Sequence, residues 1–233
     1  DVYKRQIDER AYGRDHPKVA KTLTNLGNAY CSIGNYTKAR DMQERALAIE
    51  ERTYGRDHRE VATTLMNLGK TYGDLGDHAK ERDLLERALA SKDRTYGSDH
   101  PQVALALFNL AMAHGYLGDD YKKFELLQRA LAIFEGAYGS DHPHIEMCQR
   151  NIDNARADLE FPLHAAAYRG DVDAITLFLD DGAEVNRANE DGDTPLHMVC
   201  MHGNVDAAQL LLDRGADVHK SNCLLYTSPS PRD

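Results

Sequence analysis

Apolar residues recur at helical spacing over much of the chain, in paired stripes. The first stripe consists of Val19, Leu23, Leu26 and Tyr30, and the second of Ala39, Met42, Ala46, Leu47 and Ile49. Intervals of three and four residues place such side chains on one face of an α-helix. Gly34 lies between the two stripes and favours an end to the helix there. The pattern therefore predicts two helices joined by a short turn.

The residues around these stripes are typical of helix boundaries. Asp15 has a side-chain oxygen suited to capping a helix N-terminus, and Pro17 suits the first turn because its missing N–H would be unpaired there. Gly55, in the loop after the second stripe, readily adopts a positive φ. We therefore expect Asp15 to be the N-cap of the first helix and Gly55 to follow the second.

The hairpin pattern recurs every 42 residues. Tyr-Gly occurs at Tyr12-Gly13, Tyr54-Gly55, Tyr96-Gly97 and Tyr138-Gly139, and Asp-His occurs at Asp15-His16, Asp57-His58, Asp99-His100 and Asp141-His142. Neighbouring hairpins in such an array must stack to bury their remaining apolar faces. The fourth copy has no second helix with the Arg-Ala-Leu motif of the others. We predict that its segment, residues 143–159, is a capping helix.

A second period, of 33 residues, begins directly afterwards. Three motifs recur 33 residues later in the chain: Pro162-Leu163-His164 as Pro195-Leu196-His197, Gly170 as Gly203, and Gly182-Ala183 as Gly215-Ala216. Because stacked repeats generally need about three units for stability, two copies predict a marginally stable array.

The 42-residue units resemble the tetratricopeptide repeat, in which Leu-Gly, Tyr and two alanines mark the packing positions. The 42-residue form with its Asp-His-Pro loop is similar to that of kinesin light chain. The 33-residue units resemble ankyrin repeats, with Thr194 in place and Phe161 where Thr is usual. The resemblance implies inter-repeat hydrogen bonds from His164 and His197 at the turns.

These resemblances imply an all-α fold, an α-solenoid of tetratricopeptide helical hairpins that continues into an ankyrin repeat stack. We assign residues 7–159 to about three 42-residue repeats and a final helix, and residues 160–222 to two ankyrin repeats that are cut short.

Both ends of the chain resemble translations of adapters used to build sequencing libraries. These are DVYKRQ at residues 1–6 and CLLYTSPSPRD at residues 223–233. We expect neither segment to be native, so that residues 7–222 are an internal fragment of a longer protein.

Composition narrows the choice of partners. The formal net charge is -10, which gives no electrostatic driving force for nucleic-acid binding. No apolar stretch has the length of a membrane helix, and the cysteines lack a C-x-x-C spacing. We therefore predict a cytoplasmic protein with protein or peptide partners and with no nucleic-acid, membrane or small-molecule partner.

The sequence contains no recognisable motif for catalysis or for binding a cofactor. Neither G-x-G-x-x-G nor G-x-x-x-x-G-K-[ST] occurs, so no phosphate-binding loop is indicated. His16, His58, His100 and His142 occur once per repeat, which favours loop or cap roles over a zinc site. Cys31, Cys148 and Cys200 lie in helical patterns and are expected to be small core residues. We predict no catalytic residue, no metal site and no cofactor, and hence no enzyme.

Side chains beside the buried stripe of each first helix are expected to line a concave groove. The candidate peptide-binding residues are Lys21, Asn25, Asn28, Asn67, Lys70, Leu105, Phe108, Asn109 and Met112. The amides and lysines suit a peptide backbone or carboxylate, and Leu105, Phe108 and Met112 suit an apolar side chain. The resemblance implies that Asn25, Asn67 and Asn109 bind peptide backbone. In the alternative interpretation, these Asn residues only cap or bridge neighbouring helices.

The predicted function is a protein-interaction scaffold that binds extended peptides in the groove and a folded partner through the ankyrin repeats. One alternative is a cargo-adaptor subunit resembling kinesin light chain, which requires a coiled coil upstream. Another is the sensor arm of a nucleotide-switch or kinase protein, which requires a phosphate-binding loop upstream of Ile7. A third is a secreted effector of an intracellular microbe.

Overall fold

The computed structural model describes residues 2–139 and 141–220. Every regular element in these residues is an α-helix, which confirms the predicted all-α class. The chain divides into two compact units between Asp153 and Asn154. In order along the chain, the helices of the first unit are α1 (Val2–Tyr12), α2 (Pro17–Ser32), α3 (Tyr36–Tyr54), α4 (Arg59–Asp74), α5 (His78–Tyr96), α6 (Pro101–Tyr116) and α7 (Asp120–Tyr138).

The first unit is a series of three helical hairpins with identical lengths. The first helix of each hairpin has 16 residues and the second has 19. The hairpins are α2/α3, α4/α5 and α6/α7, and each also packs against the next one. The turn inside the first hairpin contains Gly34 at φ 76°, and Gly55 at φ 84° follows its second helix, as the sequence predicted.

Histidines, rather than aspartates, cap the first helices. His16 Nδ1 accepts a hydrogen bond from the backbone N–H of Lys18 at 3.2 Å, so the prediction of Asp15 as the N-cap was wrong. His58, His100 and His142 make the same bond, which confirms the predicted cap role. Each ring also stacks on the preceding tyrosine, with ring centroids 4.2–5.0 Å apart.

We expect His58→Ala to lower the free energy of unfolding by about 1 kcal/mol, because it removes both the cap and the stacking on Tyr54. His58→Asn should lose less, since the Asn side chain still accepts the N–H of Glu60. Urea unfolding of the two variants checks this order. Equal losses would show that the stacking, and not the cap, supplies the stability.

Helix α8 (Pro143–Glu160) begins in the first unit and ends in the second. A capping helix was predicted at residues 143–159, and the capping role of α8 stays a prediction. Cys148 of this helix is fully buried, as predicted for a core residue, and burial raises the pKa of its thiol to about 11. Because the thiolate is the reactive form, this cysteine is inert at neutral pH.

The second unit contains two short helix pairs around one apolar core. The pairs are α9 (Pro162–Arg169) with α10 (Val172–Asp180), and α11 (Pro195–His202) with α12 (Val205–Asp213). The core consists of Leu163, Ala166, Ala167, Ile175, Leu196, Val199, Ala207 and Leu211. Gly170 and Gly203 end the first helix of each pair in the left-handed conformation.

Histidines also fix the turns of the second unit. His164 Nε2 lies 2.9 Å from the carbonyl oxygen of Asp193, which joins the first repeat to the loop before the second. Burial lowers the pKa of His164 and so favours the neutral ring. His197 Nδ1 instead accepts the N–H of Thr194, inside its own turn. The predicted inter-repeat bond is therefore present at His164, whereas His197 makes a local one.

Two of the cysteines do not fit the core role that we predicted for all three. Cys200 is exposed and Cys31 is half-buried. Cys200 follows the buried Val199 on α11, and one step along a helix turns the side chain by about 100°. That turn takes Cys200 off the narrow buried face of this short helix.

Candidate functional site

Two open cavities lie along the first helices of the hairpins in the first unit. The smaller one, of about 350 Å³, is lined by Asn28, Cys31, Ser32, Tyr36, Gln43, Asn67, Lys70 and Asp74. The larger one, of about 450 Å³, is lined by Lys70, Gly73, Asp74, His78, Glu81, Leu85, Asn109, Met112 and Tyr116. Because Lys70 and Asp74 line both, the two cavities adjoin along α4, and we call them together the inner groove.

A buried polar network forms the wall of the smaller cavity. Gln43 of α3 is fully buried, and its Nε2 donates a hydrogen bond to Asn28 Oδ1 of α2 at 3.0 Å. Thr71 Oγ1 of α4 donates to Gln43 Oε1 at 2.7 Å. Both ends of the Gln43 amide are thus satisfied, which removes most of the cost of burying it. The network fixes α2, α3 and α4 relative to one another.

A histidine–carboxylate pair lies in the larger cavity. His78 Nδ1 is 2.9 Å from Glu81 Oε2, and the His78 ring stacks on Tyr116 with centroids 4.4 Å apart. Burial raises the pKa of Glu81 above its ordinary value, and the hydrogen bond from His78 opposes the rise. Glu81 is only 8% exposed, so the fold holds a carboxylate here against a desolvation cost.

The structure brings five of the nine predicted site residues into the inner groove. They are Asn28, Asn67, Lys70, Asn109 and Met112. Lys21 and Asn25 are exposed on α2 but line neither cavity. Leu105 is half-buried and Phe108 is 9% exposed, and neither lines a cavity. The peptide-binding role of all nine residues stays a prediction.

The asparagines differ in what they already bind. Asn28 accepts the Gln43 amide, so the helix-bridging interpretation describes this residue. The side-chain amides of Asn25, Asn67 and Asn109 make no hydrogen bond with any residue that the structure describes. Asn67 and Asn109 therefore present free amide groups to the groove, which the bridging interpretation does not explain.

The groove residues that the sequence did not indicate include Asp74, His78, Glu81 and Tyr116. All nine predicted residues lie on the first helices of the hairpins, whereas His78 and Glu81 belong to a second helix, α5. The 42-residue repeat did indicate that Glu81 is unusual, since it occupies the position equivalent to the small, buried Ala39 of the first hairpin. A long charged residue at a buried position indicates a site to examine.

The groove has no recognisable metal centre. Within residues 2–139 and 141–220, no three His, Cys, Asp or Glu side chains are placed to hold a metal ion. The same residues contain no helix long and apolar enough to cross a membrane.

Family models match most of the chain. The tetratricopeptide repeat model matches residues 5–49 and 20–94, and a second model of that repeat matches residues 103–144. A model of ankyrin repeats matches residues 163–222. The chain contains tetratricopeptide repeats and ankyrin repeats. Both resemblances seen in the sequence are thereby confirmed. The adapter origin of the two ends stays a prediction, and residues 223–233 lie outside the described part of the chain.

Several solved structures have similar folds. One is a Podosopora anserina protein described as a kinesin light chain with nearly identical TPR-like repeats, at 21% identity and a TM-score of 0.58, covering 85% of this chain and 94% of that one. Another is BtubC (BKLC) from P. vanneervenii, at 16% identity and a TM-score of 0.55, covering 98% of this chain and 89% of that one. At these identities the likeness concerns the fold. No curated protein matches the chain in sequence.

Proposed function

We propose that this tetratricopeptide and ankyrin repeat protein is an interaction scaffold whose inner groove binds an extended peptide segment. The observation that carries the proposal is the pair of adjoining cavities with unpaired polar groups. The side chains of Asn67 and Asn109 have no hydrogen-bond partner among the described residues, and Lys70 and Asp74 have no ion-pair partner there. Such groups match the N–H and C=O groups of an extended peptide, which also lack partners.

The ankyrin repeats are proposed to contact a folded partner. This part rests on the repeat type, since both repeat families serve protein–protein contacts. The proposal has no catalytic step, because these families are typically non-catalytic. A cargo-adaptor role and a sensor-arm role both require segments upstream of this chain, and both stay predictions.

The test is selection from a random peptide library on the full chain, followed by affinity measurement with the selected peptide. We expect a short linear motif to be enriched. Changing Asn25, Asn67 and Asn109 together to Ala should weaken binding roughly tenfold, since each neutral hydrogen bond contributes about 0.5–1.5 kcal/mol. Asn28 is left unchanged, because its removal would leave the buried Nε2 of Gln43 without its hydrogen-bond acceptor.

A matched control carries Ala at Glu86 and Gln128. Both residues are exposed on the second helices, outside the groove, and their side chains form no hydrogen bond or ion pair with described residues. This variant should bind like the original chain. No enriched motif, or equal binding by the triple variant while its helical signal is unchanged, would show that the groove has a structural role only.

A further inference from the structure

One carboxylate oxygen in the larger cavity of the inner groove has no partner. His78 occupies Oε2 of Glu81, whereas Oε1 makes no hydrogen bond with any residue in the described part of the chain. The Glu81 side chain is nevertheless about nine-tenths buried. Oε1 is open to the solvent of the cavity, where a hydrogen-bond donor supplied by a ligand can take the place of water.

Comparison between the hairpins shows that the fold does not need this carboxylate. The equivalent position in the first hairpin is Ala39, which is fully buried and packs well there. The second hairpin accommodates the larger Glu81 because α4 has Gly73 opposite it. The first hairpin has Cys31 at the position equivalent to Gly73. A Cβ at Gly73 would lie 2.5 Å from Glu81 Oε2. The sequence therefore makes room for a carboxylate at a position where a small residue suffices.

The other residues of the cavity suit a long cationic side chain. Asp74 adds a second carboxylate, which is exposed and has no ion-pair partner among the described residues. Met112 is half-buried and offers apolar surface for a methylene stem, and Tyr116 is 64% exposed with His78 stacked on its ring. Lysine and arginine combine such a stem with a charged head that donates several hydrogen bonds.

We propose that this cavity binds a lysine or arginine side chain of the peptide that lies in the inner groove, with Glu81 Oε1 and the Asp74 carboxylate as its acceptors. The inference rests on the proposed peptide-binding function and specifies its ligand. Lys70 is the one lysine in the cavity lining and also lines the neighbouring smaller cavity. The cavity that receives the cationic side chain is therefore lined by two carboxylates, of Asp74 and Glu81, and by one ammonium group, of Lys70.

The test compares peptide libraries selected on three full-length proteins. They are the original chain, the double variant Asp74→Asn with Glu81→Gln, and a control with Asp83→Asn and Glu86→Gln. Both variants lose two negative charges, but Asp83 and Glu86 are exposed on α5 and do not line the groove. Folding is checked by thermal unfolding, and Glu81→Gln should not destabilise the chain because it removes a buried charge.

We expect peptides selected on the original chain and on the control to share a lysine or arginine at one position. The groove variant should lose that preference, and replacing the shared residue by norleucine should weaken binding to the original chain roughly tenfold or more. An enriched motif without a basic residue, or one that the groove variant still selects, overturns this inference and leaves the proposed peptide binding intact. If no peptide is enriched on any of the three proteins, both proposals fall.

Discussion

Ile175→Ala is expected to unfold the second unit while the first unit stays folded. Ile175 is fully buried at the centre of the only apolar core cluster found in the described part of the second unit. Its truncation should cost about 2–5 kcal/mol, from lost burial and from the cavity that remains. A unit of this size is stabilised by about 3–10 kcal/mol in total, and two ankyrin repeats lie near the low end of that range.

Hydrogen exchange followed by mass spectrometry separates the two units in one measurement. Amides of α9 to α12 should lose nearly all protection in the Ile175→Ala variant, whereas amides of α2 to α7 should exchange as before. The control is Leu177→Ala on the same helix, where the side chain is 59% exposed and little should change. Loss of protection in both units together would show that they unfold as one.

The repeat architecture could be predicted because it depends on local, periodic features of the sequence. Helical stripes and glycines identify each hairpin without knowledge of its neighbours, and the 42- and 33-residue steps then determine what stacks on what. The start of α2 after His16 could also have been predicted from the sequence. Proline favours the first helical position, so the residue directly before Pro17 is the cap. The prediction of Asp15 was wrong because it relied on the stronger intrinsic capping tendency of aspartate.

The groove chemistry could be predicted only in part, because it depends on pairs of residues from different helices. Free amides at Asn67 and Asn109 follow from their position beside the buried stripe of a first helix. The occupation of Asn28 by Gln43, and the space that Gly73 leaves for Glu81, depend on contacts between helices. A hydrophobic pattern records how deeply a position is buried but not which polar partner it meets there.

Gly27→Ala is expected to destabilise the first unit by about 1–3 kcal/mol, although Ala is the better helix former. A Cβ at this position would lie 2.7 Å from Cγ of Gln43 and 3.2 Å from the carbonyl oxygen of Ala39. Gln43 cannot yield easily, because it is fully buried and both ends of its amide are bonded, to Asn28 and Thr71. Relieving the contact must therefore separate α2 from α3 or break the network.

The same substitution at Gly136 should act in the opposite direction. Gly136 is also a helical glycine, in α7, but apart from its chain neighbours and the nearby backbone of its own helix, no atom of the described residues lies within 4 Å of the position that its Cβ would take. Gly136→Ala should therefore stabilise the chain by about 0.5–1 kcal/mol through helix propensity alone. Urea midpoints that move in opposite directions would establish that close helix approach is what requires Gly27. If both variants gain stability, the contact with Gln43 is not rigid, and the buried network does not hold α2 and α3 in place.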